Sequence, residues 1–263
     1  MKVADAVAFA GHEVHVCRHR EAHTLLRWLG PDLRGLRVLD VAGGDGYWAA
    51  QARRRGAWAV ALDIADSKLR WGHQLAAPAA LVRGDALELP FADASFDRVM
   101  SICAIEHFDD GARSLDEMAR VLAPGGELVM SADALTLAQR WPRLYRAHCE
   151  RYHVKRTYSH DDLAGLLAAR GFDVVAHQYQ FRTGWAQQLY LSLSAYGGKV
   201  GFNAAAPVMP LVAASDRGAR GDGGAIVLIR ARRRPNLAQP PGPADGPGRT
   251  DHRSLGAGRR LQS

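Results

Sequence analysis

The stretch Arg37-Val-Leu-Asp-Val-Ala-Gly-Gly-Asp-Gly-Tyr-Trp-Ala49 decides the fold of this chain. Its first residues are typical of a short buried strand, and the segment after its last glycine is typical of a helix. Three glycines, Gly43, Gly44 and Gly46, lie in the turn between the two. Such a turn places backbone N–H groups and the positive end of a helix dipole beside one point. We therefore expect a turn from strand to helix that cradles a cofactor.

Length and composition predict one globular domain with additions. The chain has 263 residues, of which 48% are hydrophobic, and this suffices for a sizeable core. It contains no apolar run of about 18 residues, the length that a membrane-spanning helix needs, and its first residues lack the pattern of a signal peptide. The three cysteines, Cys17, Cys103 and Cys149, lie far apart. We therefore expect reduced thiols, no metal site and a cytoplasmic protein.

Strands and helices are predicted to alternate after the glycine turn. A second strand ends at Asp63, a third ends at Asp85 and Ala86, and a fourth runs over 98–103. A turn at 124–126 precedes a fifth strand. This alternation predicts a parallel, doubly wound sheet, in which ligands bind at the carboxyl ends of the strands. The polar residues expected at those ends are Asp40, Asp63, Asp85, Glu106 and His107.

Two cofactors fit the glycine turn at this stage. Gly44, Gly46 and Ala49 match the G-x-G-x-x-A pattern of dinucleotide-binding turns, and Asp63 is placed to bind a ribose. The acidic residues Asp40 and Asp85 favour a cationic sulfonium cofactor over a pyrophosphate, because a negative surround repels a pyrophosphate.

The run from Val38 to Ala132 resembles the class I S-adenosylmethionine-dependent methyltransferases, in particular the type 11 group of small-molecule enzymes. The segment 38–46 is similar to the L-D-x-G-x-G-x-G loop of that family, and Gly84-Asp-Ala86 is similar to its adenine-contacting segment. Ile105-Glu-His107 matches the L-E-H after strand four, and 122–126 matches the turn before strand five. Ala42 replaces the first loop glycine, and we expect the loop to survive with altered packing.

The resemblance implies a Rossmann-like α/β fold with a seven-stranded sheet of order 3-2-1-4-5-7-6, an antiparallel strand 7 and helical cap additions. It implies S-adenosyl-L-methionine as cofactor. The residues that it assigns to cofactor binding are Asp40, Ala42, Gly43, Gly44, Gly46, Asp63, Ile64, Asp85, Ala86 and Ser101. His107 is the candidate general base, since its reference pKa is near neutrality; a structural role is the alternative. Glu106 is expected to orient its neighbours.

The predicted function is methyl transfer to a small or medium organic acceptor, by O- or C-methylation of a secondary metabolite, a quinone or a lipid-like compound. An RNA or protein methyltransferase is the alternative, supported by the net charge of +7. One argument against nucleic acid is that strand four is not followed by the Asn/Asp-Pro-Pro-aromatic motif. The resemblance leads us to expect that motif in enzymes that methylate amino groups of nucleic acids. An NAD-dependent oxidoreductase and a catalytically inactive cofactor-binding regulator remain further alternatives.

The segments outside this core are expected to serve the acceptor. Residues 1–35 are predicted to form an N-terminal helical lid, and residues 36–232 the methyltransferase domain, with cap insertions at 135–158 and 182–223. Residues 233–263 are rich in Pro, Gly and Arg and are predicted to be disordered. The second insertion is largely apolar, which predicts a cap over an apolar substrate pocket. A homodimer contact and a membrane-surface anchor are the alternatives.

Two patterns in these segments leave several interpretations open. Four histidines, His12, His15, His19 and His23, lie in one arc of a helix predicted over 12–29. We favour a solvated or cleft-lining face over a metal site, because closed sites draw ligands from several elements; a lid that meets an anionic group is a third interpretation. The first insertion interleaves basic residues with Trp141, Tyr145 and Tyr152. This pattern is typical of contacts to phosphate, carboxylate, RNA or a membrane surface, or of a solvated helix.

Overall fold

A seven-stranded mixed sheet organises the chain, with strands in the order β3-β2-β1-β4-β5-β7-β6. The computed structural model describes residues 15–75 and 79–235. The strands are β1 Arg37–Val41, β2 Trp58–Asp63, β3 Ala80–Arg83, β4 Phe96–Ile102, β5 Leu122–Asp133, β6 Phe172–Gln180 and β7 Ile226–Arg233. The first five strands are parallel, and β7 runs antiparallel to both β5 and β6. The predicted order and the direction of strand 7 are confirmed.

Helices cover both faces of this sheet. The α-helices are α1 Val16–Leu29, α2 Tyr47–Arg53, α3 Asp66–Gln74, α4 Gly111–Val121, α5 Pro142–Tyr152, α6 His160–Ala168, α7 Gly184–Ser192, α8 Gly198–Ala204 and α9 Met209–Gly218. Short 3-10 turns lie at Ile105–His107, Ala138–Arg140 and Ala206–Val208, and a π-helical turn at Leu193–Gly197. Among the described helices, none combines the length and the apolar character that crossing a bilayer requires.

Burial on both faces explains the apolar runs of the central strands. Val38, Leu39 and Val41 of β1 are fully buried, as is expected of a parallel sheet with helices on each side. Predicted local signals also appear in the structure. Ser159 forms a capping box at the start of α6, and Gly171 follows that helix with a φ of 77°, a conformation that favours glycine.

Two predicted strand boundaries are wrong. β3 ends at Arg83 instead of Asp85 and Ala86, because the Asp85 carboxylate accepts a hydrogen bond from Leu87 N–H (2.9 Å) and turns the chain. The predicted turn at 124–126 lies within β5. Pairing with β4 shifts register between Leu122 and Glu127, so the turn is a bulge in a longer strand.

The two cap insertions and the lid helix form one layer at the carboxyl ends of β4 and β5. Residues 182–223 supply α7, the π-helical turn, α8 and α9. Helix α1 is joined to them by a hydrogen bond from Val16 N–H to Asn203 Oδ1 (3.1 Å) and by an ion pair between Arg20 and Asp216 (2.6 Å). His12 and the predicted tail from residue 236 lie outside the described residues. Residues 233–235 of that tail are placed, because β7 extends to Arg233.

Candidate active site

The glycine turn after β1 is held in a backbone conformation that suits glycine. Gly44 and Gly46 have φ values of 59° and 79°, in the left-handed region where a side chain is disfavoured. A Cβ at Gly46 would lie 2.5 Å from the side chain of Leu81. Ala42 also has a positive φ, 58°. The departure from the family pattern therefore lies at a position whose backbone favours glycine, and the turn nevertheless forms.

Asp63 joins the ends of β1 and β2. Its side chain is 5% exposed, Oδ2 accepts a hydrogen bond from Gly44 N–H (2.9 Å), and Oδ1 accepts one from Ala65 N–H (2.8 Å). Each oxygen keeps a second lone pair for another donor. Ile64 beside it is 63% exposed. A carboxylate next to an exposed apolar side chain suits a ribose with an attached flat base.

Two buried polar atoms under the turn have no hydrogen-bond partner among the described residues. They are Asp40 Oδ2 and Ser101 Oγ, and both residues are 1% exposed. Burial, reinforced by the charges of Asp63 and Asp45, raises the pKa of Asp40 well above its usual range. Ser101 pairs with Val41 across β1 and β4, so it lies at the same edge of the sheet. Buried polar atoms of this kind normally bind a ligand or water.

The remaining predicted cofactor residues are placed less tightly. Asp85 is exposed, and its carboxylate caps the turn to Leu87, so its predicted contact with an adenine stays a prediction. Ala86 is buried. Gly43 N–H donates to the carbonyl of Leu62 (2.9 Å), which ties the turn to β2. A nucleoside-bearing cofactor fits these residues, because they offer a ribose carboxylate, unpartnered polar atoms and an open glycine backbone.

A cavity of about 300 Å³ lies at the ends of β4 and β5 beneath the cap. The lid, both strands and both cap insertions contribute to its walls. Its charged and polar lining includes Arg18, Cys103, Glu106, Asp133, His148 and Tyr190. The expectation of an apolar pocket is therefore wrong. Leu191 and Val212 of the second insertion are fully buried in a core cluster that also contains residues of α1 and the sheet, whereas Tyr196, Val200 and Leu211 of that insertion are exposed.

Asp133 and His148 form a buried hydrogen-bonded pair in this cavity. His148 Nε2 lies 2.8 Å from Asp133 Oδ2, and the Tyr190 hydroxyl donates to Asp133 Oδ1 (2.9 Å). Burial opposes ionisation of Asp133, but these hydrogen bonds lower its pKa below the usual value. Ser194 Oγ donates to the Leu191 carbonyl (3.0 Å) and lies 2.9 Å from His148 Nδ1.

A second buried pair comes from the lid helix. Arg18 Nη1 lies 3.1 Å from Glu21 Oε2, and Glu21 is 1% exposed. Burial raises the pKa of Glu21, and the charge of Arg18 opposes that rise. Arg18 therefore lies in the cavity wall, paired with a residue of its own helix.

Glu106 differs from the other acids of the cavity. It is 1% exposed, and neither carboxylate oxygen has a hydrogen-bond partner among the described residues. Burial, reinforced by the charge of Asp133, raises its pKa to about 8. The ligating atoms of Cys103, Glu106 and Asp133 all lie within 4.8 Å of one another. Burial raises the pKa of the Cys103 thiol well above its usual range, so the thiol is neutral there.

His107, the predicted base, lines the same cavity at its more exposed side. Its side chain is 35% exposed, and Nε2 lies 4.0 Å from Glu106 Oε1. Burial lowers the pKa of His107 below its usual value, so the ring is neutral near pH 7. Its catalytic role stays a prediction.

The histidine stripe of α1 contributes to packing in the described residues. His15 accepts a hydrogen bond from Arg18 N–H (3.3 Å) as the helix N-cap and stacks on Phe202 with ring centroids 4.2 Å apart. Burial lowers the pKa of His15 to about 3. His19 packs against Trp48 of α2, with ring centroids 5.8 Å apart. The stripe thus faces the cap at one end and the glycine turn at the other.

The sequence analysis missed Asp133, His148 and Tyr190. Asp133 ends β5, and the rule that functional side chains follow the carboxyl ends of parallel strands could have found it. His148 lies in a helix rich in exposed arginines, and Tyr190 lies in an apolar helix. His148 lies 15 residues from Asp133 in the sequence, and Tyr190 lies 57 residues from it. No local pattern therefore predicts that these residues pair.

Comparisons with known proteins agree with this architecture. A model of the family described as "Methyltransferase domain" matches residues 39–130. Demethylmenaquinone methyltransferase of a Mycobacterium species (strain KMS) is 38% identical over 120 residues, 46% of this chain and 50% of the relative. The chain therefore spans half the length of that relative. Demethylmenaquinone methyltransferase of Mycobacterium marinum is 31% identical over 199 residues, 73% of this chain and 83% of the relative.

A solved structure shows the same fold. The S-adenosylmethionine-dependent methyltransferase of Mesorhizobium loti superposes with a TM-score of 0.58 at 21% identity, covering 82% of this chain and 100% of that protein.

Proposed function

The chain belongs to the class I S-adenosylmethionine-dependent methyltransferases of the type 11 group, and from this we propose that it transfers a methyl group from S-adenosyl-L-methionine to a small or medium organic acceptor. The observation that carries the proposal is that two sites lie at the same end of the sheet, where the parallel strands have their carboxyl ends. The glycine turn with Asp63 lies at the ends of β1 and β2, and the cavity lies at the ends of β4 and β5. One site suits a nucleoside cofactor, and the other suits an acceptor.

Each residue of the cofactor site has a defined task in this proposal. Asp63 accepts hydrogen bonds from the ribose, Ile64 packs against the adenine, and the backbone at 42–44 receives the amino-acid end of the cofactor. Ser101 Oγ and Asp40 Oδ2, which have no hydrogen-bond partner among the described residues, are available to bind the cofactor. The bound cofactor supplies a methyl group already activated on a sulfonium. The protein therefore mainly aligns the acceptor and excludes water.

The acceptor is a small molecule in this proposal, and nucleic acid is disfavoured. The cavity is lined by residues of the N-terminal helix, of β4 and β5 and of both insertions, and such a concave site suits a small molecule. The mycobacterial relatives are named for a quinone substrate, and a quinone-like acceptor is one member of the class proposed here. Three exposed arginines of the first insertion, Arg143, Arg146 and Arg151, lie on α5.

Calorimetry tests the cofactor assignment directly. We expect S-adenosylmethionine and its demethylated product, S-adenosylhomocysteine, to bind, and NAD not to bind. Transfer of labelled methyl from the cofactor to a small acceptor tests the activity. Binding of NAD in place of S-adenosylmethionine would contradict this proposal and favour an NAD-dependent oxidoreductase.

A further inference from the structure

Glu106 is the carboxyl group of the cavity that no other described group satisfies. Asp133 is paired with His148 and Tyr190, and Glu21 with Arg18. Neither oxygen of Glu106 has a described partner in hydrogen-bond geometry, although the Cys103 thiol and the N–H of Glu106 lie close enough to oppose the rise of its pKa. A buried acceptor in that state costs free energy in the absence of a partner, so it normally meets a ligand or water. The acceptor enters the same cavity.

The main chain holds Glu106 in place although its side chain is unpartnered. Lys155 N–H, from the first cap insertion, donates to the Glu106 carbonyl (2.8 Å). The 3-10 turn Ile105–His107 fixes the residue directly after β4. Parallel strands of this sheet type place ligands at that end. The main chain therefore fixes Glu106 at the carboxyl ends of the strands, where ligands bind.

On the basis of the proposed methyltransferase function, we propose that Glu106 binds the hydroxyl or amine group of the acceptor and takes its proton during methyl transfer. The acceptor's oxygen or nitrogen lone pair forms the bond to the methyl carbon. The carbon–sulfur bond breaks with its electron pair on sulfur, and the released proton passes from the acceptor to the Glu106 carboxylate. An O–H or N–H group matches an unpartnered carboxyl oxygen, because such a group is a donor.

The charges around Glu106 exclude a carboxylic acid as the acceptor group. The groups that face it are Arg18 from α1, Cys103 and His107 from its own segment, Asp133 from β5, Tyr158 before α6 and Tyr190 from α7. Arg18 is engaged by Glu21, and His148 by Asp133. An anionic acceptor beside Glu106 and Asp133 would meet like charge without a free cation of the described cavity to offset it.

His107 provides the outlet for this proton. Its Nε2 lies 4.0 Å from Glu106 Oε1, and its ring reaches solvent whereas Glu106 does not. The lowered pKa of His107 leaves the ring neutral, so it is free to receive a proton and release it to water. His107 is then a relay, and Glu106 is the group that touches the acceptor.

A matched set of acceptors with a common ring tests the proposal: naphthol, naphthylamine and naphthoic acid, each with labelled S-adenosylmethionine. We expect methylation of the hydroxyl or amine compound and none of the acid. The rate should rise with pH toward a plateau above the pKa of Glu106. In Glu106→Gln the rate should fall by a factor of about 10²–10⁴, and the pH rise should vanish. Glu150→Gln, the same change on the exposed side of α5, should retain the wild-type rate and profile.

The outcomes separate this inference from the function on which it rests. If calorimetry finds no S-adenosylmethionine binding by the wild type, the proposed function fails. If the cofactor binds but only naphthoic acid is methylated, or no hydroxyl or amine compound is, the inference on Glu106 is wrong. It is also wrong if Glu106→Gln keeps the wild-type rate. Where this variant does not fold, the pH profile of the wild type decides: a rate independent of pH between 6 and 9 overturns the proposal, since the pKa of Glu106 is about 8.

Discussion

The cofactor side and the acceptor side of the site are built in opposite ways. The proposed cofactor side depends mainly on the backbone of the glycine turn and on the Asp63 carboxylate, within residues 40–65. The acceptor side uses charged side chains from α1, β5, α5 and α7, which are distant in sequence. A motif of contiguous residues forms the first, and tertiary packing alone forms the second. Changes on the acceptor side should therefore cost fold stability, and changes on the cofactor side mainly affinity.

The largest effect is expected for His148→Ala. This change leaves the Asp133 carboxyl buried, with Tyr190 as its remaining partner, and the loss of a hydrogen-bond partner by a buried group of this kind costs upward of about 3 kcal/mol, because the cost is higher for charged groups. Urea unfolding should show a lower midpoint with an unchanged slope. His73→Ala, on the exposed end of α3, is the matched control and should change stability little. Equal stability of the two variants would mean that the Asp133–His148 pair does not hold the acceptor side together.

Asp63→Ala tests the other half of the comparison. It removes the carboxylate that accepts hydrogen bonds from Gly44 and Ala65 and, in the proposed function, from the ribose. S-adenosylmethionine binding should weaken by about 1–3 kcal/mol, the range for a lost buried hydrogen-bonding partner. Calorimetry measures this, with Asp173→Ala on the exposed face of β6 as control. Unchanged affinity would show that Asp63 does not bind the ribose.

The pH dependence of stability should report on Glu106. Its folded-state pKa is raised from 4.5 to about 8, so the protonated form is favoured in the folded protein. The stability that this contributes is fully present below pH 4.5 and is lost as pH rises toward about 8, because the unfolded state gives up the proton first. The unfolding free energy of the wild type, relative to that of Glu106→Gln, should therefore fall as the pH rises over this window. A constant difference across the window would mean that Glu106 titrates normally.

The sequence predicted the fold and the position of the glycine turn beside Asp63 because both depend on local patterns. Alternating apolar runs and turns predicted the first five strands, the family resemblance implied the seven-stranded order, and the glycine turn with Asp63 was predicted as a unit that the structure brings together. Boundaries such as the end of β3 were missed because a single side-chain hydrogen bond, from Leu87 N–H to Asp85, decides where the strand stops.

The acceptor side could not be predicted in the same way. The apolar composition of residues 182–223 predicted an apolar pocket, but those side chains are used to pack the cap, and the few polar ones, Tyr190 and Ser194, face the cavity. His148 has no signal in its own helix, since its two partners lie in β5 and the π-helical turn. Long-range pairing of buried charges follows from the tertiary fold and leaves no periodic pattern in the sequence.

The smallest effect is expected at Ala42, where the cofactor side departs from its family pattern. Its φ of 58° is costly for a residue with a Cβ, by about 1–2 kcal/mol, and glycine removes that cost while adding chain entropy to the unfolded state. Ala42→Gly should therefore raise the unfolding free energy by at most about 1 kcal/mol. Ala50→Gly, inside α2, should instead lower it by about 1 kcal/mol. If Ala42→Gly destabilises the protein as Ala50→Gly does, the Ala42 side chain must contribute packing that outweighs its backbone strain. The cofactor turn would then depend on side-chain contacts, as the acceptor side does.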